Sequence, residues 1–313
     1  MRIINYAVFR KVLNDYLNVK NLLIYLVIVS MPSLFFTSLS EEAKLFSNLS
    51  LELKTEYMSG FFLLFSFFWI CGISIVVLSS VVCSSFVAEE IANRTLLLLV
   101  AKPVNRTGLI ISKFFAFMII ALVFSSVSIF FSIYLWTSLL NLDFYSLSRF
   151  ASFVPLLIGY SFLVSLIFGS LATALSVVSS NKLRVILPVI AVLMLTFFAL
   201  IPIRGALIQA NVYESHAISL VDLGYDLGNV YISLLEASDV KLIPPLQTAV
   251  GTVTGVYEIP REGVKIDYDH GFVLPSLDRL EYRSFRHSLL KWTVIPLIFF
   301  AASLVVFERR DIS

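Results

Sequence analysis

Two groups of residues in this 313-residue chain have types and spacings that could do chemistry. The first is Glu89, Glu90, Arg94, Thr95, Leu97, Leu98, Pro103 and Arg106, within the stretch EEIANRTLLLLVAKPVNRTGLIISK at residues 89–113. Its chemistry is recognition. Carboxylates in a first turn suit the positive end of a helix dipole, and Glu90 stands one turn before Arg94, where the two can pair. Leu96 to Val100 is an unbroken apolar run, too short to cross a bilayer and too apolar for water. It needs a partner surface, either the chain's own bundle or a groove on a separate cytoplasmic subunit. Pro103 removes a donor and pushes Lys102 out of helical geometry, so a short helix over 89–102 is expected, with Asn105 or Thr107 capping the next one.

The second group is Asp267, Asp269 and His270, which have ligand chemistry but precede Gly271 in a turn-like pattern. Asp in turns ordinarily bonds its own backbone, so no metal site is assigned. Cys71 and Cys83 share one apolar run and face different directions on a helix, which reads as small packing residues and not as a disulfide framework. Neither HExxH nor GxSxG occurs, no histidine lies in an apolar run, and no catalytic residue is assigned.

The elements that must position these groups are membrane spans. With 58% hydrophobic and 14% charged residues and a mean hydropathy of +0.91, the composition lies outside that of soluble domains. A net charge of +2 is too small to point to nucleic acid. Apolar runs predict spans over 22–39, 60–88, 114–142, 151–180, about 185–203 and 289–307. Pro32 lies inside the first, and Pro155, Pro188 and Pro296 fall in or near the first turns of theirs. The expected fold is an all-α integral membrane protein of six transmembrane helices, with an N-terminal interfacial helix and a small extracytoplasmic α+β insertion between helices five and six.

In detail, residues 1–21 form the interfacial elbow helix, with Phe9, Val12, Leu13 and Tyr16 on one face and Arg10, Lys11, Asn14, Asp15 and Asn18 on the other. Residues 22–203 hold the first five spans. Along the fourth, Ser161, Ser165, Gly169 and Thr173 recur every four residues, a stripe that permits close helix packing; lining a substrate path is the alternative. The insertion is 204–288. Within it 205–237 reads as helix with a break around Gly224, 252–259 and 264–268 read as strands joined by 260–263, and 275–291 reads as a helix feeding span six. Residues 289–313 are the last span and a tail.

Basic residues set the orientation. Arg2, Arg10, Lys11, Lys20, Arg94, Lys102, Arg106, Lys113, Lys182, Arg184, Arg309 and Arg310 fall on one side, against Lys44, Lys54 and Arg149 in the short loops of the other. The positive-inside rule then places both termini and the 89–113 stretch in the cytoplasm, and the insertion outside.

The stretch resembles a known signature. Ala88-Glu89-Glu90, Thr95-Leu96, Ala101-Lys102-Pro103-Val104-Asn105-Arg106 and Lys113 are similar to the segment after the second span in ABC transporter permeases of the type 2 exporter family. Arg94 stands where that family usually has Gly, and Asn105 where it usually has Ser or Thr. The six-span layout and the FERRDIS ending extend the resemblance over most of the chain. The resemblance implies that 89–102 is a coupling helix that docks on a separate ABC ATPase, with Glu89, Glu90, Arg94, Thr95, Leu97, Leu98, Pro103 and Arg106 as the coupling residues. It also implies two ATPase copies, a second permease subunit, identical or related, and a place in the plasma membrane. Cargo would pass between the permeases as ATP closes the ATPase pair.

No GxxxxGK[ST] loop occurs, so this chain binds no nucleotide cofactor of its own, and ATP and Mg belong to the partner. Two rivals are an integral membrane enzyme and an ion-coupled secondary transporter. The first lacks its motifs. The second needs ionisable residues within the bilayer, and the six apolar runs are expected to hold none.

Overall fold

The computed structural model describes residues 4–42, 50–93, 105–140, 144–210, 212–240, 242–258, 266–267, 271–272 and 277–310. In chain order the helices are α1 Tyr6–Tyr16, α2 Val19–Glu42, α3 from Leu51 to Ser84, α4 Ala88–Ala92, α5 Arg106–Leu139, α6 Phe144–Ser152 and α7 Val154–Val178. They continue with α8 from Leu183 to Gln209, α9 Val212–Ser215, α10 Leu223–Ala237, α11 Pro244–Thr254 and α12 Phe285–Arg309. Among the described residues, six segments are long and apolar enough to cross a membrane: Val19–Phe36, Leu53–Ala92, Arg106–Leu139, Leu147–Val178, Leu183–Gln209 and Phe285–Arg309.

The fourth span, α7, is the centre of the bundle and packs against α3, α5 and α12. Its small residues make that possible: a Cβ on Gly169 would stand 2.3 Å from the Phe117 ring of α5, and the Cys71 thiol of α3 donates to the Leu157 carbonyl at 3.7 Å. Spans one, five and six are less enclosed and present exposed apolar side chains, among them Phe35, Leu187 and Ile298.

Two spans unwind locally. Ser66–Ile73 in α3 and Leu195–Ala199 in α8 are π-helical, and they face each other. Gly72 leaves room for Phe197, whose Cζ would be 3.0 Å from an added Cβ, and Phe67 meets both Phe197 and Tyr160 with centroids 5.9 and 5.6 Å apart. At the end of the bundle where α3 begins, Lys54 Nζ donates to the Leu140 carbonyl at 2.9 Å and Phe36 stacks on Trp136 at 5.2 Å.

The long connection between spans five and six departs from expectation in several places. The fifth span runs on to Gln209, so Arg204 lies inside a helix and not at the head of a loop. The helix in 205–237 is interrupted before Gly224 and not at it: α9 and a short 3-10 turn at Ile218–Leu220 precede α10, whose N-cap is Asp222. Residues 252–254 belong to helix α11, not to a strand: Pro244 and Pro245 open it without needing donors, and Gly255, at φ +72°, closes it in the left-handed region. The described strands are only Ile266–Asp267 and Gly271–Phe272, an antiparallel pair, plus a lone bridge between Tyr257 and Arg279. The insertion is therefore helical, and the α+β description is withdrawn. Residues 277–284 are not helical, with a bridge residue at Arg279 and a bend at 282–283, and α12 begins at Phe285, which leaves Pro296 mid-helix and not near a first turn. Phe144–Ser152, expected to belong mostly to a turn, is helix α6.

What ties the insertion to the spans is buried charge. Arg204 of α8 clasps Asp222, accepts company from Tyr213, whose hydroxyl donates to the same carboxylate at 2.9 Å, and itself donates to the Val253 carbonyl at 2.6 Å. One turn further along α10, fully buried Asp226 accepts from Ser288, Lys291 and Trp292 of α12 at 2.7, 2.6 and 2.7 Å. Adjacent turns of α10 thus hold span five and span six.

Candidate functional site

The second span ends in a break that other spans stabilise. After Ser84 the chain leaves the helix, with Val87 at φ −131°, ψ −47°, before the short helix α4. Backbone groups freed by such a break are expensive to bury unpaired. Here Val87 and Ala88 N–H both donate to Ser176 Oγ of α7 at 3.1 Å, Ser176 donates in turn to the Ser84 carbonyl at 3.3 Å, and Lys113 of α5 donates to the Phe86 carbonyl.

Both glutamates of α4 are held by lysines from other spans. Lys113 Nζ lies 2.7 Å from Glu90 Oε2, and the two side chains are only 5% and 15% exposed, so this is an interior pair. Lys182, just before α8, meets Glu89 at 3.1 Å in a half-exposed position, where screening leaves an ion pair little net worth. Glu90 thus pairs with Lys113 across the bundle; Arg94, its expected partner, lies outside the described residues. The expectation that no span holds an ionisable residue fails at Lys113, Arg204 and Lys291. Helices α5 and α8 extend beyond the uncharged runs that suggested it, and Lys291 stands within the 289–307 run itself, where Asp226 pairs with it.

The far root of the stretch is fixed in the same way. Asn105 caps α5, its Oδ1 accepting from Thr107 N–H at 3.1 Å, and Arg106 Nη1 donates to the Arg310 carbonyl at 2.9 Å. The Arg310 guanidinium donates to the Val177 carbonyl at the end of α7. Helix α1 closes this end of the bundle. Val12 is buried, Phe9, Leu13 and Tyr16 pack on the core, Asn5 N–H donates to Ser112 Oγ at 2.7 Å, and Tyr16 Oη donates to Ser85 Oγ at 2.8 Å. The apolar face of α1 is thus covered by the chain itself. Its basic residues Arg10 and Lys11 remain exposed. Burial pushes the Tyr16 phenol above its usual range, and the bond to Ser85 opposes that.

Of the sequence-derived coupling residues, Glu89, Glu90 and Arg106 stand at the two roots of residues 94–104. Arg94, Thr95, Leu97, Leu98 and Pro103 lie outside the described residues. The small-residue stripe is buried on α7: Ser161 and Thr173 are each 0% exposed, Ser165 Oγ donates to the Ser161 carbonyl at 2.7 Å, and Gly169 meets Phe117.

One end of this bundle therefore gathers the last turns of spans two, four and six, the first turns of spans three and five, and the roots of a leucine-rich loop. Residues 18–312 match the model of a family described as ABC-2 family transporter protein. The chain belongs to the ABC-2 transporter family. No curated protein sequence matches it. As an ABC-2 permease it is a multi-pass membrane protein and the transport component of its system, and such permeases work in association with an ABC ATPase. The family match begins after α1, so α1 is additional to it.

Sequence reasoning used Lys113, Lys182 and Arg310 only as markers of orientation or of the family signature, gave them no part in holding the α3–α4 break or the loop roots, and passed over Ser176. Lys113 carried a usable signal: a lysine two turns inside a helix that is otherwise uncharged as far as Leu139 has to find an acceptor. Ser176 carried none, because serine is common along this chain's spans.

Proposed function

We propose that this ABC-2 permease is the membrane-spanning subunit of an ATP-driven exporter in the plasma membrane. Two permease copies, identical or related, form the cargo path, and two ABC ATPase subunits bind ATP and Mg and drive it. Both termini and residues 94–104 face the cytoplasm, and the 204–288 insertion faces outward. The 89–102 stretch is the docking element, and the stripe from Ser161 to Thr173 serves helix packing. The observation that carries this reading is the convergence of five spans on the roots of one leucine-rich loop, which lets a push on that loop reach the whole bundle. Charged groups found within spans also support it: Lys113, Arg204 and Lys291 are each bound to a carboxylate, so none of the three is a free carrier for a coupling ion.

The test is reconstitution of the permease with its ATPase in sealed vesicles, using peptides, lipids, antibiotics and ions as trial cargo. Uphill movement is expected only with hydrolysable ATP. Uphill movement driven by an imposed proton or sodium gradient without nucleotide would contradict the proposal and favour a secondary transporter.

A further inference from the structure

The Glu90–Lys113 pair is built differently from its neighbours. Lys182–Glu89 is half exposed, whereas Lys113 is almost wholly buried and reaches from α5 to two points at the α3–α4 break, the Phe86 carbonyl within it and the Glu90 carboxylate just after it. Phe86, itself 1% exposed, lies within the break and Glu90 follows it, so one ammonium group ties the break to α4. Ser176 satisfies the amides of the same joint from α7, but as a neutral hydroxyl it can slip with less loss than a buried ion pair. Lys113 sits on the helix that receives the far root of residues 94–104, and Glu90 sits on the near root. Both ends of the docking loop are therefore locked to each other through a single buried pair.

We infer that Lys113 is a positioning residue for coupling: through Glu90 and the Phe86 carbonyl it makes the α4 root and the start of α5 move as one body, so that a displacement imposed on the loop is delivered to span three. This deepens the proposed function and rests on it. The prediction is a division of labour in which Lys113 governs transmission into span three, while capture of the ATPase depends on the loop itself.

The experiment compares amide hydrogen exchange of the purified permease–ATPase complex without nucleotide and after trapping with ATP and orthovanadate, at residues 88–92 and 106–117. In the wild type both segments should change on trapping. In Lys113→Met the ATPase should still co-purify and the change at 88–92 should persist, while the change at 106–117 should fall at least fivefold; Lys113→Arg should restore at least half of it. Should the single variant not fold, Glu90→Gln with Lys113→Met removes both charges together and should show the same loss. A purely structural role would raise exchange equally in both nucleotide states and leave the trapping difference at 106–117 intact. That result, in whichever variant folds, would overturn the inference. A wild-type permease that captures no ATPase would instead overturn the proposed function beneath it.

Discussion

Arg204 and Asp222 meet in a two-point ion pair, Nε to Oδ2 at 2.6 Å and Nη2 to Oδ1 at 2.8 Å, with both side chains 2% exposed. The pair joins the last turns of span five to the N-cap of α10, and Asp222 also accepts from Tyr225 N–H at 3.0 Å. Removing one member of such a pair leaves the other charge buried, a loss of about 3–5 kcal/mol. Asp222→Ala should therefore loosen α10 and α11 together, read as faster amide exchange over 223–254 with spans one to four unchanged.

The same pair gives the insertion an acid response. Burial alone would raise the Asp222 carboxyl, but the Arg204 guanidinium, the Tyr225 amide and the Tyr213 hydroxyl outweigh it and hold the carboxyl below its usual range. A carboxyl depressed on folding contributes stability that is fully present above the unfolded value of about 3.9 and is lost as pH falls through the folded value. Protection of 223–254 should hold from neutral pH down to about pH 4 and decline below it. In Asp222→Asn that decline should be weaker.

Gly255 should resist substitution for two reasons at once. Its φ of +72° strains any L side chain, and a Cβ there would lie 2.5 Å from Arg204 Cδ. Gly255→Ala should lower stability by about 1–3 kcal/mol. Gly159→Ala is the control, because nothing lies within 4 Å of its added Cβ and the residue is inside α7, where alanine is the better helix former. Thermal unfolding in detergent of the two variants should separate them.

The membrane orientation is testable without removing native cysteines, since Cys71 and Cys83 are both 0% exposed. Cysteines introduced at Asn48 or at Glu258 should react with an impermeant reagent applied outside sealed cells, and cysteines at Asn93 or Asn181 should not. Labelling of the Asn93 position from outside would reverse the assignment.

The six spans were legible because runs of 18 or more apolar residues have few other uses. The insertion was less so. Thr252, Val253 and Thr254 are β-branched and read as strand, yet the double proline at 244–245 and the glycine at 255 mark the two ends of a helix, and those signals were the stronger ones. Ion pairs across the bundle were beyond local reading. Helical spacing offered Arg94 to Glu90, and Arg94 lies outside the described residues; the Lys113 partner is brought from another span by packing that no single stretch encodes. The break at residues 85–87 has neither Gly nor Pro to announce it, because it is stabilised from outside, by Ser176 and Lys113. Asp226 was passed over for a related reason. It reads as a surface residue of an amphipathic helix until Lys291 and Trp292, far along the chain, are placed against it.

The central claim is that the loop between α4 and α5 carries force from an ATPase, and replacing Leu97 and Leu98 together by Asp tests it most directly. Burying one leucine is worth roughly 1.5–3 kcal/mol, whereas an exposed ion pair contributes about 0.2–1 kcal/mol, so the apolar residues should dominate affinity. Losing two of them should weaken capture by at least about a hundredfold. The measurement is the amount of ATPase co-purifying with the inserted permease. The account predicts that Leu97→Asp with Leu98→Asp leaves the permease folded in the membrane and almost free of its ATPase. A variant that retains wild-type amounts of bound ATPase, with full substrate-stimulated hydrolysis, would contradict it.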